Sequence, residues 1–310
     1  MNKNYKYNFV LPYSLGEFVL YLLVCFSFTV IGTSQTNIAN VNEVFQKSLY
    51  KFSFSEAEKI IANLENSKFD RSDLKELKYQ LAWWFILSGY KVSDNIDKCK
   101  LFLNEGIDDY NQISDPPIDT QVKLINAYLF KLRIENYSHK KIGSLTVLKK
   151  LLEKVDKLDN TSGMKPDKKI LIGLYYYFLK YIKQEYILAR LVLMDYNKGD
   201  KKTGLKYLEE CADSNDEIVR TEAVYFLHKI YFTIEKQYSK AEEKINLLLN
   251  LYPENLVFAF EYFKVLLAQN KLDEAKEFKI NTIKKIHGSE NLYIEQKNHF
   301  IDLFTNYEFE

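Results

Sequence analysis

The sequence predicts an all-α fold in which antiparallel pairs of helices stack on one another. From residue 37 onward, apolar residues recur at three- and four-residue steps almost throughout, as the buried face of a helix requires. The chain has only 10 glycines and 5 prolines in 310 residues. This scarcity favours long helices with short connections over a β-protein rich in turns.

A short phrase that occurs twice supports the same fold. KQYSKA occupies positions 236–241 and NKLDEA positions 270–275, so Ala241 and Ala275 stand 34 residues apart (275 − 241). Each alanine falls where two antiparallel helices would cross closely, and a larger side chain would push the helices apart. Pro253 lacks an amide hydrogen and is expected to end the helix between the two copies. Gly204 is a candidate for the same small position one helix pair earlier.

This pattern of a turn, a small residue, a proline stop and a 34-residue period resembles the tetratricopeptide repeat family. The resemblance is clearest in two repeats, 222–255 and 256–289. It implies a right-handed superhelical solenoid of antiparallel helix pairs, with a capping helix at 290–306 that covers the last repeat. The layout also resembles exported repeat proteins of Bacteroidetes-type bacteria, a likeness that names no activity.

Three positions depart from the repeat pattern. Lys229 stands where the family usually has a small residue, Ala259 where it has a large aromatic residue, and His287 where it has a proline. Elsewhere the repeat is degenerate, and residues 35–160 are predicted to form a degenerate helical-repeat region. A break at 159–166 separates this region from the repeat domain at 166–310.

The first 34 residues have the features of an export signal. Lys3 and Lys6 precede an apolar run at 18–31, and the small residues Gly32 and Ser34 follow it. The run is shorter than the roughly 20 residues that a helix needs to cross a bilayer. We therefore expect a signal peptide at 1–34, cleavage near Ser34, and a mature protein in the periplasm or outside the cell. An uncleaved N-terminal anchor is the alternative.

Charge and motifs argue against several functions. With 43 basic and 42 acidic side chains, the chain lacks the positive excess of a nucleic-acid-binding surface. It contains no phosphate-binding glycine loop, no G-x-S-x-G nucleophile motif, no C-x-x-C pair and no histidine pair at the spacing of a zinc-binding helix. Cys99 and Cys211 are expected to be helical thiols, although a disulfide between them stays open. We predict a non-enzymatic protein without a cofactor or a metal.

Binding of a protein or peptide partner has a better physical basis. The register of the two clear repeats places part of each first helix on a concave surface. If they were exposed, the aromatic and aliphatic side chains there would form an apolar strip suited to a peptide or a partner helix. The alternative is that they pack against neighbouring helices. The predicted groove consists of Phe226, Ile230, Thr233, Phe260, Glu261, Lys264 and Leu267.

A second hypothesis is a carbohydrate- or small-ligand-binding protein. Tyrosine and tryptophan are abundant on several predicted helices, and Trp84 and Tyr176 would supply stacking surfaces in an aromatic pocket. An open groove would favour the peptide hypothesis, and a closed aromatic pocket would favour the small ligand. Burial of both sets of side chains would remove both sites.

Overall fold

The structure is a computed structural model that describes residues 36–137, 141–159, 165–185, 193–196 and 199–307. Within these ranges it contains thirteen α-helices, one π-helical turn and no strand, so the all-α prediction is confirmed. The predicted signal peptide at 1–34 lies outside the described residues. No helix in the described ranges combines the length and the apolar character needed to cross a membrane.

The helices follow one another with short connections. In chain order they are α1 (Thr36–Tyr50), α2 (Phe54–Glu65), α3 (Arg71–Leu87), α4 (Val92–Asn111), α5 (Ile118–Tyr137), α6 (Lys141–Asp159), α7 (Pro166–Glu185), α8 (Lys201–Ala212), α9 (Glu217–Lys229), the π-helical turn (Ile230–Ile234), α10 (Tyr238–Leu251), α11 (Leu256–Ala268), α12 (Leu272–Gly288) and α13 (Ile294–Asn306).

Local sequence signals set several of these helix ends. Asp70, Asp200, Asp216 and Asn255 precede α3, α8, α9 and α11, and each side chain accepts a hydrogen bond from a main-chain N–H of the first turn. These bonds satisfy donors that a helix start otherwise leaves unpaired. After α3 the chain turns at Gly89 with a φ of +78°, a left-handed conformation that glycine adopts without steric cost.

Small residues mark close helix contacts, as predicted. Gly173 of α7 and Gly204 of α8 face each other, and a Cβ atom on Gly204 would lie 2.6 Å from the carbonyl oxygen of Gly173. Ala241 and Ala275, the two alanines of the repeated phrase, are both fully enclosed. Consecutive helices pack against each other along the chain, and each small residue permits one such close approach.

The two ends of the described chain also meet. The side chain of Asn255 donates a hydrogen bond to the carbonyl oxygen of Tyr50 at 2.9 Å, and Gln296 donates to the hydroxyl of Ser88 at 2.7 Å. In an open solenoid each repeat contacts only its neighbours. Contacts across more than 200 residues are not expected of such an array. Here α1 and α3 lie against helices from the other end of the chain.

Buried apolar side chains from α1 through α13 form one continuous core. The predicted break at 159–166 falls between α6 and α7, which contact each other. The division at that point into a degenerate repeat region and a repeat domain therefore stays a prediction. Cys99 on α4 and Cys211 on α8 are both buried, and they do not form a disulfide with each other.

Candidate functional site

The predicted groove is not an open surface. Phe226, Ile230 and Phe260 are 1%, 1% and 7% exposed, and the charged Glu261 and Lys264 are equally enclosed. The remaining two members, Thr233 and Leu267, are half-buried. The condition for an exposed apolar strip is therefore not met, and the alternative of packing against neighbouring helices describes these side chains. The periodicity correctly indicated that the strip is apolar, but a helix face of this kind is most often covered by another helix.

The C-terminal helix supplies part of that cover. The ring of Phe260 lies 5.4 Å from the ring of Phe304 and 5.3 Å from that of Tyr307. Phe263, one turn further along α11, also contacts Phe304 at 5.4 Å between ring centroids. The edge-to-face geometry of the Phe260 contacts is a favourable arrangement for aromatic pairs. The chain's own end thus occupies the space above α11 in which a peptide was expected.

The charged members of the predicted groove form a closed ionic cluster. The Glu261 carboxylate lies 2.8 Å from the Lys264 ammonium and 3.1 Å from that of Lys229. Burial alone would raise the pKa of Glu261, but the two lysines hold it well below its usual range. His228 lies 3.4 Å from the same carboxylate, and burial lowers its pKa. This cluster joins α9 to α11 and explains how Lys229 is accommodated at a position where a small residue was expected.

The aromatic pocket is also absent where it was predicted. Trp84 is 2% exposed, and its ring packs edge-on against Tyr50 and Phe52, each at 5.9 Å between centroids. Tyr176 is half-buried; its hydroxyl donates to Asp159 at 3.0 Å, and its ring stacks on Tyr207. Trp84 therefore offers no open stacking face, and Tyr176 is already engaged by its own neighbours.

An open cavity lies instead at the joint between the two ends of the chain. Its volume is about 170 Å³. The turn after α1 supplies one wall, the end of α10 and the start of α11 supply another, and α12 with the turn after it completes the cavity. Its lining consists of Lys51, Phe52, Leu249, Pro253, Glu254, Leu256, Ala259, Phe278, Thr282, Lys285, Ile286, Ser289, Asn291 and Leu292.

The floor of this joint cavity is apolar. Phe52, Leu256, Ala259 and Ile286 are all buried side chains that face the space. Phe52 adopts a φ of +58°, which is uncommon for an aromatic residue and turns the chain after α1. Trp84 packs behind Phe52 and supports it. Because Ala259 has only a methyl group, it leaves room that a larger side chain would fill.

Polar groups at the cavity have few partners. Within the described ranges, Lys51, Glu254 and Lys285 are exposed and form no ion pair or hydrogen bond through their side chains. Thr282 is 95% buried (5% exposed), and its hydroxyl has no hydrogen-bond partner among the described residues. The cavity thus combines an apolar floor with polar groups that remain available to a bound molecule.

Sequence reasoning missed this site because its walls come from positions 51–52 and 249–292, which no local pattern brings together. One signal did point to it. Ala259 departs from the repeat pattern, which has a large aromatic residue at that position, and this departure leaves the space.

No group of three or more His, Cys, Asp or Glu side chains in the described part of the chain is arranged to hold a metal ion. No protein-family model, curated protein or solved structure matches this chain.

Proposed function

We propose that this chain is a non-enzymatic, exported helical-repeat scaffold of the tetratricopeptide type that binds a protein partner at the joint cavity. In this proposal the helix pairs form a superhelical array whose two ends close on each other. The partner inserts one apolar side chain between the turn after α1 and helices α11 and α12. The proposal replaces the concave groove, whose side chains are buried, with the accessible cavity at the joint.

The observation that carries this proposal is the size of the cavity. About 170 Å³ is close to the roughly 150 Å³ of an engineered cavity that binds benzene. Sites for small-molecule ligands usually enclose about 300–1,000 Å³. The joint cavity is therefore too small for a sugar or a cofactor, but it fits one large apolar side chain. Single anchor side chains in well-packed pockets supply much of the affinity at protein interfaces.

The test is a crosslinking capture from the native cell envelope with two matched variants. Ala259→Phe fills the cavity from its floor, and Lys202→Glu changes an exposed side chain of α8 outside the cavity. We expect wild type and Lys202→Glu to capture the same partner, and Ala259→Phe to lose it while its unfolding transition is retained. Identical capture by all three proteins would overturn the proposal.

Export is a separate part of the proposal and has its own test. The mature N-terminus of the full chain expressed in an envelope-containing bacterial host should lie near Gln35, as read by mass spectrometry of the intact protein. An intact N-terminus in the membrane fraction would instead support an uncleaved anchor.

A further inference from the structure

We infer that the partner segment is acidic, with one large apolar anchor side chain next to an Asp or a Glu. This inference rests on the proposed function of the joint cavity and adds the chemistry of its occupant. Three features of the lining point to this occupant: its charged side chains, the hydroxyl of Thr282 and the apolar floor.

Two cations from different parts of the chain line the cavity. Lys51 follows α1, whereas Lys285 lies in the last turn of α12, so the two lysines belong to the two ends of the chain that meet at the joint. Neither ammonium group has an ion-pair partner among the described residues. This contrasts with Lys47, one turn before Lys51, which is paired with Glu217 at 2.8 Å.

Glu254 is the only acidic residue in the lining, so the cavity has a formal excess of one positive charge over its three charged side chains. An acidic group on the partner would complement that excess, whereas a basic group would be opposed by two lysines. Complementary rim charges contribute mainly to specificity and to the rate of association. We therefore expect the sign of the charge beside the anchor to decide which segments bind.

Thr282 adds a short-range contact within the wall. Its hydroxyl lies at the cavity without a partner in the described residues, and a hydroxyl can donate to a carboxylate or a carbonyl oxygen. A partner whose anchor side chain packs on the apolar floor would bring one of its main-chain carbonyl or carboxylate oxygens near this hydroxyl. The lining therefore offers buried apolar side chains, one hydroxyl without a partner among the described residues, and two exposed cations.

The experiment uses three probes that share one ring and differ in charge. Phenylacetate, phenylacetamide and phenethylammonium are titrated into the full chain, and dissociation constants are measured by ligand-observed NMR at low salt. Exposed ion pairs contribute about 0.2–1 kcal/mol each, or a factor of roughly 1.4 to 5 in affinity. With two lysines, phenylacetate should bind about 2- to 25-fold more tightly than phenylacetamide, and phenethylammonium should bind most weakly.

Substitutions of the charged lining residues test whether these residues cause the preference for phenylacetate. Lys51→Met and Lys285→Met should each reduce the preference for phenylacetate about 1.4- to 5-fold, and Glu254→Gln should increase it. Lys202→Met, an exposed lysine outside the lining, should leave it unchanged. Added salt should reduce the preference, because exposed charges are screened over about 8 Å at 0.15 M ionic strength.

The outcomes separate this inference from the proposed function. Equal binding of all three probes, or a preference that survives in the Lys51→Met/Lys285→Met double variant, would show that the cavity accepts an apolar group without selecting an acid. In that case the inference of an acidic partner is wrong, and the proposal that the joint cavity binds an apolar anchor side chain is retained. Binding of none of the three probes to a folded chain would overturn both.

Discussion

Asn255 and Tyr50 join the two ends of the described chain through one hydrogen bond. The Asn255 amide nitrogen donates to the carbonyl oxygen of Tyr50 at 2.9 Å, while its oxygen accepts from the main-chain N–H groups of Val257 and Phe258 at 3.1 Å each. A single buried side chain therefore starts α11 and holds the end of α1 against it. The rings of Tyr50 and Tyr252, 5.3 Å apart, pack beside this bond.

Replacing Asn255 should therefore cost more than the loss of an ordinary helix cap. We expect Asn255→Ala to reduce the free energy of unfolding by about 2–4 kcal/mol, because it removes a cap worth about 1 kcal/mol and leaves a buried carbonyl without its donor. Asp70→Ala is the matched control, since Asp70 caps α3 from an exposed position. It should cost about 1 kcal/mol in urea unfolding. Equal costs for the two variants would mean that the bond to Tyr50 contributes nothing to stability.

The contact between α7 and α8 predicts opposite effects for two glycine substitutions. In Gly204→Ala the new methyl group would lie 2.6 Å from the Gly173 oxygen and 2.7 Å from the Tyr177 nitrogen, both main-chain atoms. Overpacking of this kind costs about 1–3 kcal/mol. A Cβ on Gly106 of α4 would meet nothing within 4 Å, so Gly106→Ala should stabilise the protein by about 0.5–1 kcal/mol. Thermal unfolding of both variants checks the pair, and a stabilised Gly204→Ala would contradict the crossing.

The raised pKa of Glu76 predicts that the free energy of unfolding falls as pH rises. This carboxyl is buried on α3, where it accepts from Gln80 at 3.2 Å, and burial raises its pKa to about 7. The unfolded chain releases this proton near pH 4.5, whereas the folded chain keeps it until about pH 7. The contribution of Glu76 to the free energy of unfolding is therefore fully present below pH 4.5. It is lost as pH rises from 4.5 to about 7, by about 3 kcal/mol in total.

A glutamine at position 76 imitates the protonated carboxyl and does not titrate. Relative to wild type, Glu76→Gln should gain unfolding free energy as pH rises from 5 to 8, as measured by urea unfolding at each pH. The Glu261 cluster changes stability in the opposite direction with pH, but it is common to both proteins and cancels in the difference. A difference that does not change with pH would rule out a raised pKa at Glu76.

The ionic cluster around Glu261 predicts that the protein loses stability in acid. The folded pKa of Glu261 lies well below its ordinary value, so the unfolded chain takes up a proton below about pH 4.5 while the folded chain stays ionised. This part of the stability is present above pH 4.5 and is lost as pH falls through the folded pKa. Burial also lowers the pKa of His228, so its contribution declines as pH falls below about 6.5.

Removing the Glu261 carboxylate alone should strongly reduce the free energy of unfolding. We expect Glu261→Gln to cost about 3–5 kcal/mol at pH 7, because Lys229 and Lys264 would remain buried beside a neutral amide. The triple variant Lys229→Met/Glu261→Leu/Lys264→Met, which removes all three charges, should recover much of that loss. Urea unfolding of the two variants decides the point. A triple variant less stable than Glu261→Gln would show that the cluster is favourable as a whole.

Several elements of this fold could be predicted because they depend on neighbouring residues. Pro253, which is expected to end a helix, lies between α10 and α11, because proline cannot continue a helix. Gly204, Ala241 and Ala275 were identified from spacing alone, and all three are buried at helix contacts. Whether the groove is open could not be predicted, for an equally physical reason. An apolar helix face indicates burial, but its sequence does not say whether a partner or the chain's own α13 covers it.

The all-α class, the helix stop at Pro253 and the small residues at the helix contacts could be predicted from the sequence, since hydrophobic period, backbone chemistry and side-chain volume are local properties. Three features appear only in the folded structure: the two ends of the described chain meet, Phe304 and Tyr307 cover α11, and a cavity opens beside Ala259. Helix crossing angles vary by about 15–20° around their preferred values, and this variation accumulates over thirteen helices. Contacts across more than 200 residues, such as that of Asn255 with Tyr50, therefore depend on the sum of all the crossings.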